Sequence, residues 1–232
     1  MSPPDLGHVT GLDELLPFYA TPPNGVRANM IFSADGAAAF AGRAGPLSDP
    51  TDQTLLRELR AFADVVLVGA GTARAERYGP VRSNGAGDHP LARIAVVSRS
   101  GELPESMFAD PGQRPILVTS ARATHDHGLA DDARRDVLIA GEDTVDVAEA
   151  LAQLRARGLN RVLCEGGPTL LDALTAADLV DELCVTVAPR LAGVQDVGRG
   201  GGALAAPTAM RLDHALTHED YLFLKYSRAH GR

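Results

Sequence analysis

The chain has 232 residues, 45% of them apolar and 22% charged, a composition that excludes disorder as its main state. Acidic residues outnumber basic ones, giving a formal net charge of −8, so a broad nucleic-acid surface is not expected. No apolar run reaches the roughly 18 residues of a membrane helix, and no targeting segment is visible, so we expect a cytoplasmic protein without a membrane partner. Its two cysteines, Cys164 and Cys184, are too few for a Cys₄ or Cys₂His₂ zinc site, and no metal is expected.

An N-terminal arm is predicted over residues 1–25, which are rich in Pro and Gly and contain one short helical pattern. Residues 26–232 are expected to form a single domain, since no linker or repeat interrupts them. This domain begins with an apolar strand at 26–33. A helix follows at Asp49 and Pro50, because aspartate caps a helix and proline needs no N–H partner in the first turn.

Continuous runs of β-branched residues predict strands buried on both faces of a parallel sheet, the first over 64–69. A helix predicted over 144–157 stops at Gly158, and another opens at Pro168. After Asp181 the strands lack intervening helices, and the last two predict an antiparallel hairpin. The fold class is therefore α/β, with a mainly parallel central sheet flanked by helices and a C-terminal antiparallel hairpin. The further predicted strands are Ile94–Ser98, Ile116–Thr119, Val137–Ala140, Arg161–Cys164, Leu183–Val187, Arg211–Leu216 and Tyr221–Ser227.

Two glycines, Gly69 and Gly71, follow the first buried strand. Glycines at a strand-to-helix junction let backbone N–H groups approach a phosphate or nucleotide. Arg74 stands where a full dinucleotide fingerprint has its third glycine, so a simple tight turn is the alternative interpretation.

A second junction of this kind is Glu165-Gly166-Gly167-Pro168-Thr169-Leu170. The amides of Gly167, Thr169 and Leu170 are expected at a helix N-terminus, where anions bind. Glu165 ends the strand, and capping the helix is the alternative role of its carboxylate. Two such junctions in one parallel sheet favour a dinucleotide.

Five arginines cluster in sequence around the first junction and predict either a site for a substrate phosphate or a solvated face. A Gly-x-Ser-x-Gly elbow and a phosphate-binding Gly-x-x-x-x-Gly-Lys-Ser/Thr loop are both missing from the sequence, which argues against a hydrolase triad and a nucleoside triphosphatase. The five arginines are Arg57, Arg60, Arg74, Arg77 and Arg82.

Taken in chain order, these segments resemble the pyrimidine reductase family of riboflavin biosynthesis, the reductase half of a bifunctional deaminase-reductase with a fold related to dihydrofolate reductase. The resemblance extends from about residue 26 to the C-terminus. It is most specific at Glu165–Leu170 and Leu179–Leu183, and Ser33–Gly36 and Gly69–Thr72 match as well. The chain looks closest to stand-alone actinobacterial members, and it lacks the zinc signature of the deaminase half.

The resemblance implies that residues 26–232 are a dihydrofolate-reductase-like reductase domain, that the cofactor is NADPH, and that the protein is a homodimer. The implied reaction reduces the ribosyl group of 5-amino-6-(5-phosphoribosylamino)uracil to ribityl. Glu76, where the family usually has Asp, is expected to donate the proton that accompanies the hydride. Expected cofactor-binding residues are Ile31, Gly69, Gly71, Thr72, Ser98, Arg99, Ser100, Gly166, Gly167, Pro168, Thr169 and Leu170, with Ser98 to Ser100 at the 2′-phosphate. Expected substrate-binding residues are Asn29, Asp35, Arg60, Arg82 and Glu165, with the two arginines at the substrate phosphate.

Several positions depart from the family pattern. Asn29 stands in place of Lys, Ala44 in place of Ser, and Pro46 in place of Trp, while 76–78 reads Glu-Arg-Tyr in place of Asp-Asp-Pro. Because these changes fall mainly on the substrate side, two alternatives stay open: a reductase of the same fold acting on a pterin or dihydrofolate, and a non-catalytic NADP(H)-binding protein. The two arginines assigned to the phosphate favour the pyrimidine, since a pterin carries no phosphate. A methyltransferase would not explain the second glycine turn.

Overall fold

The computed structural model describes residues 4–82, 90–195, 204 and 206–229. Within them, ten strands form one sheet with helices packed on both faces. A surface loop predicted from the glycines at 198–202 lies outside the described residues. The strands are β1 (Asp5–His8), β2 (Val26–Ser33), β3 (Val65–Gly69), β4 (Arg93–Val97), β5 (Ile116–Thr119), β6 (Asp136–Ile139), β7 (Val162–Cys164), β8 (Val180–Ala188), β9 (Met210–His218) and β10 (Tyr221–Arg228). The helices are α1 (Leu12–Leu15), α2 (Pro50–Ala61), α3 (Ala70–Ala75), α4 (Ala121–His127), α5 (Val147–Ala156) and α6 (Pro168–Ala176), with 3₁₀ turns at Leu16–Phe18 and Glu105–Phe108.

The sheet has the strand order β1-β9-β10-β8-β2-β7-β3-β4-β5-β6. Strands β8, β2, β7, β3, β4, β5 and β6 run parallel to one another, and β10 is antiparallel to both β8 and β9. The predicted fold class, a mainly parallel sheet with a C-terminal antiparallel hairpin, is confirmed.

Alternate residues of β3 build the two halves of the core. Val66 and Val68 pack in the cluster that includes α2, through Leu55 and Leu59. Val65 and Leu67 point the other way, into the cluster formed with α5 and α6. Both faces of the strand are therefore apolar, as its continuous β-branched run predicts.

Polar side chains fix the helix starts. The Asp49 side chain accepts a hydrogen bond from the Asp52 backbone N–H (2.7 Å), with Pro50 as the first helical residue, as predicted. Helix α5 begins at Val147 rather than at 144, because the Asp146 side chain accepts from two backbone N–H groups of the first turn (2.9 and 3.0 Å).

Two local predictions need correction. The hairpin connection is shorter than the predicted 217–220, because β9 continues to His218 and β10 starts at Tyr221. The turn is only Glu219 and Asp220, both with positive φ (45° and 68°), as in a two-residue hairpin loop that follows the strand twist. The polar sequence around His125 and His127 predicts a loop, but these residues form the end of α4 instead.

The N-terminal segment packs against the sheet. Strand β1 pairs with β9, and Leu15 and Tyr19 are buried in the core. Arg27, on β2, donates hydrogen bonds to the carbonyls of Tyr19 (2.7 Å) and Thr21 (3.3 Å) and is paired with buried Glu182 (2.9 Å). The division into an arm (1–25) and one domain (26–232) stays a prediction.

Both cysteines are free and buried, and burial raises the pKa of each thiol to about 12. They pack as small apolar side chains. None of the helices in the described part of the chain has the length and apolar character needed to cross a membrane. Among the same residues there is no cluster of three or more His, Cys, Asp or Glu side chains that could hold a metal ion.

Candidate active site

A cavity of about 700 Å³ lies at the carboxyl ends of β3 and β7, the edge at which open parallel sheets bind ligands. Its walls come from β2, the segment before α2, α2 itself and the segments that follow β3 and β7. Nine of the predicted site residues line it: Asn29, Ile31, Arg60, Thr72, Glu76, Arg82, Glu165, Gly167 and Pro168.

The two glycine turns meet because β3 and β7 are neighbours in the sheet. The Gly69 backbone N–H donates to the carbonyl of Gly166 (2.8 Å). A Cβ on Gly167 would lie 2.6 Å from the Thr72 Oγ1, and Gly166 has a φ of +79° that side chains rarely adopt. The two turns therefore pack directly against each other at the N-terminus of α6, where backbone N–H groups can bind the pyrophosphate of a dinucleotide.

Other residues expected at the cofactor are divided between exposed and structural positions. Gly71 and Thr169 are exposed, and a Cβ on Gly71 would meet open space. The Leu170 N–H already donates to the Gly167 carbonyl (3.0 Å), and the Leu170 side chain is buried. The expectation that the Leu170 amide faces an anion is therefore corrected, because the first turn of α6 uses that N–H itself.

Ser98, Arg99 and Ser100 directly follow β4, whose last residue pairs with Gly69 at the end of β3. Ser98 is buried, and its hydroxyl accepts a hydrogen bond from the Gly101 N–H (3.1 Å). Arg99 and Ser100 are exposed. The turn thus presents the arginine beside the first glycine junction, while the Ser98 hydroxyl stabilises the turn.

Glu165 and Arg60 form a nearly buried ion pair in the cavity wall. The Arg60 Nε donates to Oε1 and Nη2 to Oε2 of Glu165, both at 2.7 Å. Burial opposes the charge of Arg60, but the Glu165 carboxylate outweighs it and raises the pKa of Arg60 above its ordinary value. Glu165 therefore belongs to the cavity wall and does not cap α6.

Tyr78 also contacts this pair, and sequence reasoning did not assign it to the site. Its hydroxyl donates a short hydrogen bond to Oε2 of Glu165, and its ring lies 5.1 Å from the Arg60 guanidinium carbon. Burial and then the charge of Glu165 raise the pKa of the Tyr78 phenol well above its ordinary value. The departure at 76–78 was the one sequence signal that pointed to this residue.

Glu76 lies at the end of α3, where its Oε1 accepts a hydrogen bond from the Ala44 N–H (2.7 Å). Its Oε2 lies 3.5 Å from Arg43. The pairing with Arg74 or Arg77 that its sequence neighbourhood suggests is not formed. Glu76 and Glu165 line the same cavity, as expected, but Glu76 binds the segment that enters α2.

Asp35 ties the turn after β2 to the segment after β8. Its carboxylate accepts from the Ser33 hydroxyl (2.5 Å) and from the N–H groups of Ala192 (3.0 Å) and Gly193 (2.7 Å). The Ser33 hydrogen bond and then the two N–H groups lower the pKa of Asp35 to about 2. Asp35 lines a smaller cavity of about 390 Å³, and Pro168 borders both cavities. Its role in binding substrate stays a prediction.

Positive charge prevails around the larger cavity, although the chain as a whole is acidic. Arg57 folds back onto its own helix, where it donates to the Gln53 carbonyl (3.0 Å). Arg77 and Arg82 also line the cavity, and among the residues that the structure describes neither has a carboxylate within 4 Å. The lining cations are Arg43, Arg57, Arg60, Arg77 and Arg82, and the lining acids are Asp52, Glu76 and Glu165.

The family described as the RibD C-terminal domain matches residues 24–222. The chain belongs to this family. The predicted family is thereby confirmed, and the predicted class of activity, an oxidoreductase, is supported. RibD-type reductases generally use a nicotinamide cofactor, and the two glycine turns that meet at Gly69, Gly166 and Gly167 fit one.

Individual relatives agree with this assignment. The chain is 28% identical over 207 residues to the 2,5-diamino-6-ribosylamino-4(3H)-pyrimidinone 5′-phosphate reductase of Methanothermobacter thermautotrophicus, covering 86% of this chain and 95% of the relative. It is 31% identical to the riboflavin biosynthesis protein RibD of Mycobacterium tuberculosis, covering 82% of this chain and 47% of that protein. A solved pyrimidine reductase-like protein from Corynebacterium diphtheriae superposes with a TM-score of 0.79 at 26% identity, covering 96% of this chain and all of that one.

Proposed function

We propose that this protein is an NADPH-dependent reductase that converts the ribosyl group of 5-amino-6-(5-phosphoribosylamino)uracil to ribityl. The observation that carries the proposal is the cavity that brings together Thr72 and Gly167 of the two glycine turns, the Arg60–Glu165 pair, and two arginines, Arg77 and Arg82, that have no carboxylate partner among the described residues. When bound there, NADPH supplies the hydride. The residues of the chain would bind the substrate, orient it and supply one proton.

The substrate phosphate is assigned to Arg82 and Arg60. Arg82 lines the cavity without a carboxylate partner among the described residues, and Arg60 keeps three of its five N–H bonds free of Glu165. Charge-assisted bonds from guanidinium groups suit a phosphate in geometry and strength. An unphosphorylated pterin has no phosphate that could accept these charge-assisted bonds.

Turnover tests the proposal directly. NADPH oxidation is followed at 340 nm with the aminouracil substrate, with the diaminopyrimidinone named for the archaeal relative, and with dihydrofolate. The two pyrimidines differ only at ring position 2, so their ratio measures recognition of that position. If only dihydrofolate is turned over, the substrate is a pterin and the proposed pyrimidine is wrong. If NADPH binds but no substrate is turned over, the protein is a non-catalytic binding protein.

The preference for NADPH over NADH is assigned to Arg99. This exposed arginine follows β4 beside the first glycine turn, where its charge suits the 2′-phosphate. Arg99→Ala is expected to weaken NADPH and to leave NADH unchanged, as measured by the Kd of each cofactor. Equal weakening of both would remove Arg99 from 2′-phosphate recognition.

Glu76 is assigned as the proton donor. Glu76→Gln keeps an oxygen for the Ala44 N–H, so the α2 entry segment stays in place while the acidic proton is lost. We expect kcat to fall by about 10²–10⁴, the range of general acid–base catalysis, with NADPH affinity retained. A normal kcat in Glu76→Gln would leave bound water as the donor.

A homodimer is part of the same proposal. Cross-strand pairs Leu222–Val187, Leu224–Val185 and Tyr226–Leu183 place six half-buried side chains on one face of β8 and β10, and Phe32 of β2 continues that face beside Val187. The apolar pattern of the late strands also predicts Phe223 on this face, but Phe223 is fully buried in the core instead. Light scattering should give twice the chain mass of 24.3 kDa, and Leu224→Glu should give the monomer. A wild-type monomer at micromolar concentration would refute it.

A cytoplasmic location without nucleic-acid or membrane partners completes the proposal. Its support is the acidic net charge and the two free, buried thiols.

A further inference from the structure

Tyr78 contacts both members of the ion pair in the cavity wall. Its hydroxyl bonds to Glu165, its ring faces Arg60, and all three residues line the cavity. Tyr78 itself is only 9% exposed. The Tyr78 phenol therefore constrains the orientation of the Glu165 carboxylate through its hydroxyl and the position of the Arg60 guanidinium through its ring.

The Arg60–Glu165 pair has hydrogen-bonding sites that its contacts with each other and with Tyr78 do not use. Glu165 has about four acceptor sites, and two N–H groups of Arg60 and the hydroxyl of Tyr78 occupy three of them. The Arg60 Nη2 and the Tyr78 hydroxyl fill both sites on Oε2, and the Arg60 Nε fills one site on Oε1. The remaining acceptor site is therefore on Oε1. Three of the five N–H bonds of Arg60 are not taken by Glu165. The pair thus presents one acceptor beside several donors to the cavity.

The backbone of Tyr78 is anchored on two sides. Its N–H donates to the Ala73 carbonyl (2.9 Å) and the preceding N–H, of Arg77, donates to Arg74 (3.2 Å), which is the Schellman pattern at the end of α3. Its carbonyl accepts from the Ser106 hydroxyl (2.5 Å). The backbone of Tyr78 is therefore held by α3 and by the 3₁₀ turn at Glu105–Phe108. Neither contact involves Glu165.

We propose that Tyr78 is a positioning residue for substrate: it holds the Arg60–Glu165 pair so that the free donors of Arg60 face the phosphate of the bound pyrimidine substrate and the free acceptor of Glu165 faces a hydroxyl or N–H donor of the same substrate. This inference rests on the proposed function. Tyr78 contacts neither Glu76 nor the glycine turns through any hydrogen bond among the described residues, so its effect belongs to substrate binding and leaves the chemical step and the cofactor unchanged.

The test is Tyr78→Phe, which keeps the ring beneath Arg60 and removes only the hydroxyl. We expect KM for the pyrimidine substrate to rise about tenfold to a hundredfold, the effect of losing one hydrogen bond to a charged group, with kcat and KM for NADPH unchanged. Tyr221→Phe is the matched control. It loses an equally buried phenol hydrogen bond, to the Leu47 carbonyl (2.9 Å), outside the pair, and should keep the wild-type KM.

A double-mutant cycle with Glu165→Gln separates positioning from a general structural effect. If Tyr78 acts through Glu165, adding Tyr78→Phe to Glu165→Gln should raise KM by much less than it does alone. A wild-type KM in Tyr78→Phe, or equal increases in both backgrounds, would overturn the proposal. So would a lower melting temperature than that of Tyr221→Phe with no change in KM. An inactive wild-type protein would instead reject the proposed function, and this inference with it.

Discussion

Arg77 occupies the position after the C-cap of α3 with a φ of +53°, where helices usually place glycine. For residues other than glycine this left-handed conformation costs about 1–2 kcal/mol. A glycine at position 77 would avoid that cost, but its greater conformational freedom in the unfolded state would offset roughly 0.5–1 kcal/mol of the gain. We therefore expect Arg77→Gly to be about 1 kcal/mol more stable than Arg77→Ala, the reverse of their order inside a helix. In a chain of this size that difference is about 2–4 °C in Tm.

The two variants form a matched pair, because each removes the same cation from the cavity and they differ only in one Cβ. Urea unfolding measures the stability difference, and steady-state kinetics should give both variants the same KM for the phosphorylated substrate. Arg77→Lys keeps both the charge and the strained backbone and should unfold like the wild type. An Ala variant as stable as the Gly variant would refute the reasoning, since the left-handed turn would then carry no strain.

Two further predictions concern charged groups outside the cavity. Asp35 has a folded pKa of about 2, below its ordinary 3.8, so its stabilising effect is complete above about pH 4 and is lost as the pH falls towards 2. Asp35→Asn should therefore lower the urea midpoint near neutral pH, and the gap from wild type should close below about pH 3; a gap independent of pH would contradict this. Glu182→Gln should cost about 3 kcal/mol or more, because it leaves Arg27 buried without its anion. Asp143→Asn, which breaks the exposed pair with Arg122, is the control and should change the unfolding free energy little; equal effects would contradict the buried-pair argument.

Much of the fold follows from local sequence pattern. The apolar runs predicted β2 and β5 with their observed ends, and Asp49 with Pro50 predicted the start of α2. These elements depend on interactions between residues close in the chain, such as capping bonds and the alternation of burial. The pairing of β1 with β9 was not predicted, because an exposed four-residue strand carries no apolar pattern and is held by a partner more than 200 residues away.

The candidate site was predictable in its residue types and less so in its contacts. Glu76, Glu165 and Arg60 were placed in one site, and they line one cavity. Arg60 and Glu165 are 105 residues apart in the chain, so no local sequence pattern predicts that they form an ion pair. The contacts of Asp35 with the N–H groups of Ala192 and Gly193 could not be predicted for the same reason, since each spans more than 150 residues.

The strand order explains why these distant residues meet. Strand β7 inserts between β2 and β3, so the turn after β7 lies beside the turn after β3 and faces α2, which directly precedes β3. Arg60, in the last turn of α2, is thereby brought to Glu165 at the end of β7. Tyr78 reaches the same point from α3, because the left-handed turn at Arg77 reverses the chain there. Residues 76–78, where the sequence departs from the expected family pattern, thus all lie in the wall of this cavity, on the side of it that Arg60 and Glu165 also form.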